Sequence, residues 1–122
     1  MKIAVGSVNY SLDSPASEIF GRSSAFIIAD LDKDKIKSIN VIENPAKNEF
    51  GAGNTAAQFI ADHEVNVLIS GKLGPVAFHI LKNAGIKVYK ARSGSVEKNL
   101  KRFIEGKLEE ITSLSGGFPS QS

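Results

Sequence analysis

Two short apolar runs, Val65-Asn66-Val67-Leu68-Ile69 and Ile86-Lys87-Val88-Tyr89, are each followed by a glycine-containing turn and then by a stretch of helical periodicity. This doubled unit constrains the fold more than any other feature. Successive strands joined through a helix lie parallel in one sheet, with right-handed crossovers and their carboxyl ends on a common edge. The first turn, Gly71-Lys72-Leu73-Gly74-Pro75, opens a helix with Pro75 at its first position. Ala77, Ile80, Leu81 and Ala84 form the inward stripe of that helix, and Gly85 offers a left-handed cap. The second turn, Arg92-Ser93-Gly94-Ser95, ends on Ser95 as N-cap of a helix facing inward through Val96, Leu100, Phe103 and Ile104 and stopping at Gly106.

The first half reads differently. Ile3–Val5 is a buried strand ending at Gly6-Ser7, followed by a polar stretch from Asn9 to Ser23. So long a connection is either functional or holds a short helical turn. Ala25–Ala29 is a second strand, Asp32-Lys33-Asp34-Lys35 a turn, and Ile36–Ile42 a third, less apolar strand. The short turn predicts an antiparallel hairpin, with Lys37, Ser38 and Asn40 suiting its second strand to a sheet edge. After Asn44-Pro45, a loop from Lys47 to Asn54 leads into a helix over Thr55–His63, striped by Ala56, Phe59 and Ile60. These elements make one α/β domain over residues 1–112. The tail from Ser113 lacks periodicity and is expected to be disordered.

Composition narrows the function. No apolar run approaches the ~18–20 residues of a membrane span, and the amino-terminal residues turn polar too quickly for a signal peptide. The chain has no Cys, so thiolate nucleophiles, disulfides and Cys-based metal ligation are excluded, and the cytoplasm is the expected compartment. A net charge of +2 argues for neither a nucleic-acid nor a membrane partner. The densest basic stretch, Lys98, Lys101, Arg102 and Lys107, reads as a solvated helix face. His63 reads as a partly buried or capping histidine and His79 as part of a solvated face, neither with companions at metal-ligand spacing. Asp30 stands alone where a two-metal nuclease needs clustered carboxylates, and no Gly-x-Ser-x-Gly elbow, Walker A loop or three-glycine dinucleotide fingerprint occurs. No enzymatic activity is expected.

Three junctions remain: Gly51-Ala52-Gly53-Asn54-Thr55, Gly71-Lys72-Leu73-Gly74-Pro75 and Arg92-Ser93-Gly94-Ser95. Each joins glycine to a helix start, where free N–H groups and the helix dipole welcome negative charge. One convergent anion pocket is the expectation, lined by Gly53, Asn54, Thr55, Gly71, Lys72, Gly74, Arg92 and Ser93. Lys72 and Arg92 would supply charge, and Arg22 a third cation from the long first loop. A regulatory or protein-interaction module that binds another small anion or a partner protein is the alternative.

The order of these segments resembles the nitrogenase cofactor-biosynthesis accessory family, of the NifX-like and NifB carboxyl-terminal type. The carrying residues are Lys2–Val5, Phe20-Gly21-Arg22-Ser23, Ile42-Glu43-Asn44-Pro45, Gly51-Ala52-Gly53, Gly71–Phe78, Leu81–Ala91 and Ser95-Val96-Glu97. The resemblance implies a ribonuclease-H-like, three-layer α/β/α fold without nuclease chemistry. Its five-stranded mixed sheet would have the order 3-2-1-4-5 with strand two antiparallel. It also implies binding or carrying of iron–molybdenum cofactor or its iron–sulfur precursor, with a cofactor-assembly protein as partner. Where relatives place His before the Phe-Gly-Arg segment this chain has Ile19, and its glycine loop carries Asn48, Phe50 and Asn54. Without Cys, such a cluster would be held by charge and backbone rather than by thiolate ligation.

Overall fold

The computed structural model describes residues 1–114. Its strands are β1 (Lys2–Ser7), β2 (Ala25–Asp32), β3 (Lys35–Glu43), β4 (Val67–Ser70), β5 (Lys87–Lys90) and β6 (Glu110–Ile111). The helices are α1 (Ala52–Asp62), α2 (Pro75–Asn83) and α3 (Val96–Ile104), with a 3₁₀ turn at Phe20–Arg22 inside the long first loop. The sheet order is β3-β2-β1-β4-β5-β6. β1, β4 and β5 run parallel, and β2 runs antiparallel to both its neighbours. The first five strands therefore take the anticipated ribonuclease-H-like order. The sheet has six strands rather than five, because β6 pairs Ile111 with Val88 antiparallel at the far edge. Two residues carry no alternation to read, and burial of Ile111 at 1% exposure is what docks them.

The layers follow from side-chain alternation along the central strands. Ala4, Phe26, Ile28, Leu68 and Val88 face α1 and α2, which cover them with Ala56, Ala57, Ile60, Ala77, Phe78 and Leu81. Ile3, Val5, Ile27, Val67 and Ile69 face the other way, toward Val96 and Leu100 of α3. Burial on both faces explains why β1, β2 and β4 are near-continuous apolar runs. β3 has a largely exposed pattern and lies at the edge, as its lysines and polar residues require.

Two helix readings need correction. α1 begins at Ala52, three residues before Thr55, because Gly51 takes the left-handed conformation at its N-cap (φ 65°) and turns the chain directly into the helix. Gly53 and Asn54 are weak helix formers, and packing of the first turn overrides their propensity. Ala84 is exposed at the end of α2, and Phe78 occupies the inward position instead. α3 follows expectation, with Ser95 Oγ accepting the Lys98 N–H at 3.0 Å. His63 caps α1, with Nδ1 2.8 Å from the Phe59 carbonyl, and its ring lies against Phe59. Asp30 sits within β2 rather than at its end, its carboxylate 3.6 Å from the Met1 amino group. Leu114 packs on the α1/α2 core; the rest of the expected tail, 115–122, lies outside the described residues.

Candidate functional site: two clefts on the carboxyl edge

All three helices begin at the edge of the sheet where β1, β4 and β5 end, yet they do not form one pocket. The loop from Val8 to Ser24 crosses that edge as a strap and divides it. The strap is fastened by main-chain hydrogen bonds: Ser17 N to Gly6 O (2.9 Å), Ala16 N to Gly94 O (2.9 Å), Lys72 N to Glu18 O (2.8 Å) and Phe20 N to Lys72 O (2.9 Å). Lys72 is thereby held on both sides of its backbone, and its exposed side chain stands between two clefts.

The inner cleft lies on the α1/α2 side. It has a volume of about 320 Å³ and is lined by Ile19–Arg22, Ala52–Asn54, Lys72–Gly74 and Ala77. Here the first turns of α1 and α2 meet. Asn54 and Thr55 donate back to Gly51 O, and Phe78 donates to Gly74 O, as helices close their own ends. The amides of Ala52, Gly53, Val76 and Ala77 have no hydrogen-bond acceptor among the described residues. Two helix dipoles thus direct partial positive charge at one small space, with Lys72 beside it. Ile19, Phe20, Leu73 and Ala77 supply apolar walls.

The outer cleft is also about 320 Å³, lined by Pro15–Glu18, Gly71, Lys72 and Lys90–Gly94. The start of α3 contributes no free donors to it. Val96 N and Glu97 N donate to Ser14 O (2.8 Å) and Leu12 O (2.9 Å) of the strap, while Ser95 Oγ takes the Lys98 amide. Buried Asn99 fixes the approach to this helix. Its Oδ1 accepts the Arg92 N–H at 2.8 Å, and its Nδ2 donates to Arg92 O and Ser95 O at 2.9 and 3.0 Å.

The predicted residues therefore separate. Gly53, Asn54, Gly74 and Arg22 line the inner cleft; Gly71, Arg92 and Ser93 line the outer; Lys72 lines both. Thr55 is exposed and lines neither, since the earlier start of α1 moves it to the solvent side. Arg22 does not offer its charge freely: Nη1 donates to the carbonyls of Lys47 (2.7 Å) and Glu49 (3.3 Å) and pins the loop before α1.

The glycines also differ in what they do. A Cβ on Gly71 would stand 2.4 Å from the Glu18 carbonyl oxygen, and one on Gly21 would stand 2.6 Å from the Gly53 nitrogen. Both are glycine because main chain passes over them. By contrast, a Cβ on Gly74 meets nothing within 4 Å, and one on Gly53 meets only Ala77 Cβ at 3.8 Å. Neither has a positive φ. The fold does not require glycine at these two inner-cleft positions. Apart from Arg22, the lining residues of the strap and Lys90 escape the sequence reading, because their contribution is made by main chain crossing the rim and by the end of β5. The Phe-Gly-Arg segment, with its close-packed Gly21, was the available signal.

Residues 1–106 match the family model described as dinitrogenase iron-molybdenum cofactor. The chain belongs to that family. An uncharacterised protein of Methanocaldococcus jannaschii is 41% identical over 112 residues, covering 91% of this chain and 92% of that one. The apo form of the orange protein from Desulfovibrio gigas superimposes with a TM-score of 0.84 at 30% identity, over 92% of this chain and 93% of that one. The NMR structure of a proposed NifB protein from Thermotoga gives 0.82 at 34% identity, over 99% and 98%.

The inner cleft of this dinitrogenase-cofactor family member has a distinctive donor set. Among its lining residues there is no imidazole, thiol or carboxylate, only main-chain N–H groups, Asn54, Arg22 and Lys72. No group of three or more His, Cys, Asp or Glu residues is placed to hold a metal ion among the described residues. The lining thus presents hydrogen-bond donors and positive charge, the kind of concavity in which main-chain amides favour anions. Among the described residues no helix is long and apolar enough to cross a membrane.

Proposed function

We propose that this protein is a non-catalytic carrier that holds an anionic metal–sulfur cluster, iron–molybdenum cofactor or its iron–sulfur precursor, in the inner cleft and delivers it during cofactor assembly. The supporting observation is the meeting of two helix starts, with amides lacking acceptors, around glycines that the fold does not need. The cargo is a substrate in this reading, not a resident group. Its anionic faces accept hydrogen bonds from main chain and Lys72, and the apolar walls exclude water from it. Holding without ligation suits release, since no metal–protein bond has to break. Membership of the cofactor family supports the choice of cargo, and a relative solved in an apo form is consistent with a ligand that comes and goes.

Anaerobic native mass spectrometry, joined to iron and molybdenum analysis, tests the assignment. Protein isolated from a cluster-producing host should carry the mass of a cluster, and Lys72→Ala should carry less while keeping its fold. Protein that stays metal-free and takes up no added cluster would overturn the proposal.

A further inference from the structure

The outer cleft has a different chemistry, and it stands independently of the cargo reading. Lys72, Lys90 and Arg92 line it. On its far rim the Lys98 Cδ and the Arg102 guanidinium of α3 lie 3.4 Å from where a Cβ on Gly94 would sit, and Arg102 Nη1 donates to Ser93 O at 2.8 Å, which holds its charge at the rim. None of these five cations forms an ion pair among the described residues, where the ion pairs are those of Met1 with Asp30 and Lys107 with Glu105. Glu18 is the only carboxylate in the lining. Pro15, Ala16 and Ala91 give an apolar floor, and the amides of Ser93 and Gly94 have no acceptor among the described residues.

We infer that this groove docks an extended acidic segment of a partner protein. Cations on the β4–α2 junction, the end of β5 and one face of α3 form a track rather than a point. A compact anion meets part of it, whereas a peptide with carboxylates on alternate residues meets it along its length. The unbonded amides of Ser93 and Gly94 supply donors for the peptide main chain, and the apolar floor takes its intervening side chains. Charge complementarity of this kind sets approach rate and partner choice.

The probe is a short fluorescent peptide in which glutamate alternates with leucine, followed by anisotropy and by amide chemical shifts of the full chain. It should bind, shift the amides of Lys90–Gly94, and weaken steeply as ionic strength rises from about 0.1 M to about 1 M, where screening shortens from about 10 Å to about 3 Å. Lys90→Ala with Arg92→Ala should weaken it roughly three- to tenfold, the range expected for loss of two surface ion pairs. Arg92→Gln, at an exposed side chain that makes no hydrogen bond among the described residues, serves if the pair disturbs half-buried Lys90. Three results would each overturn the inference: equal binding of the lysine–leucine counterpart, equal occupancy of the groove by inorganic phosphate, or shifts confined to Ala52–Asn54. Failure of cargo binding in the inner cleft leaves these readings untouched.

Discussion

Replacing Gly53 by alanine should raise stability and lower affinity together. The residue lies in the first turn of α1 with no positive φ, so alanine fits the backbone. Its Cβ meets one neighbour, Ala77 Cβ, at an ordinary 3.8 Å. Restricting the unfolded chain at a compatible site stabilises by about 0.4–1 kcal/mol. For a domain of this size that is a rise in Tm of roughly 2–6 °C. The new methyl, however, stands where α1 and α2 meet across the inner cleft. A rigid cluster forced past it loses contacts on the scale of overpacking, about 1–3 kcal/mol, or roughly 5- to 150-fold in affinity. Gly21→Ala is the internal control: its Cβ would lie within 2.6–2.9 Å of Ala52 and Gly53 main-chain atoms, and stability should fall instead. Urea and thermal unfolding followed by far-ultraviolet circular dichroism give the first quantity, and anaerobic titration with an isolated cluster gives the second. A lower Tm for Gly53→Ala, or an unchanged affinity, would refute the claim that this glycine is kept for a ligand.

Two further substitutions probe the frame around the clefts. Gly71→Ala places a Cβ 2.4 Å from Glu18 O and must lift the strap, breaking the Lys72 N to Glu18 O bond; a loss of about 1–3 kcal/mol in urea unfolding and faster hydrogen exchange at Lys72 are expected. Asn99→Ala removes every side-chain hydrogen bond to the Arg92 main chain from a fully buried position; about 1–3 kcal/mol is expected for a group left unpaired, read from the urea midpoint.

Much of the fold is legible because burial writes itself into side chains. Ile3–Val5, Ala25–Ala29 and Val67–Ile69 are apolar on both faces, as central strands require, and Ser95 announces the start of α3 through the oxygen that caps it. The hairpin followed from a four-residue turn, although β2 runs on to Asp32 and β3 to Glu43. β6 was invisible because two residues hold no period. The site was legible by edge and not by partition. The strap works almost wholly through main-chain N–H and C=O groups, which every sequence possesses, so apart from Phe20-Gly21-Arg22 nothing in Val8–Ser24 reveals that it caps α3 and crosses the end of β4. Arg22 looked like free charge, and only its carbonyl partners on Lys47 and Glu49 show it working as a loop latch.

The glycines of this rim carry a more general argument. At Gly51 the reason for glycine is a left-handed φ; at Gly21 and Gly71 it is main chain within 3 Å of a missing Cβ. Each reason is complete without a ligand, which is why three glycine junctions on one edge are weak support for a pocket. Gly53 and Gly74 satisfy neither condition, and Gly53 lies inside a helix where glycine is destabilising by roughly 0.5–1 kcal/mol relative to alanine. Both line the same cleft, at the two helix starts whose amides lack acceptors. The third helix start, tied off by Leu12 and Ser14, has neither feature. What singles out the inner cleft is thus the coincidence, at two separate junctions, of an unneeded glycine with an unanswered amide.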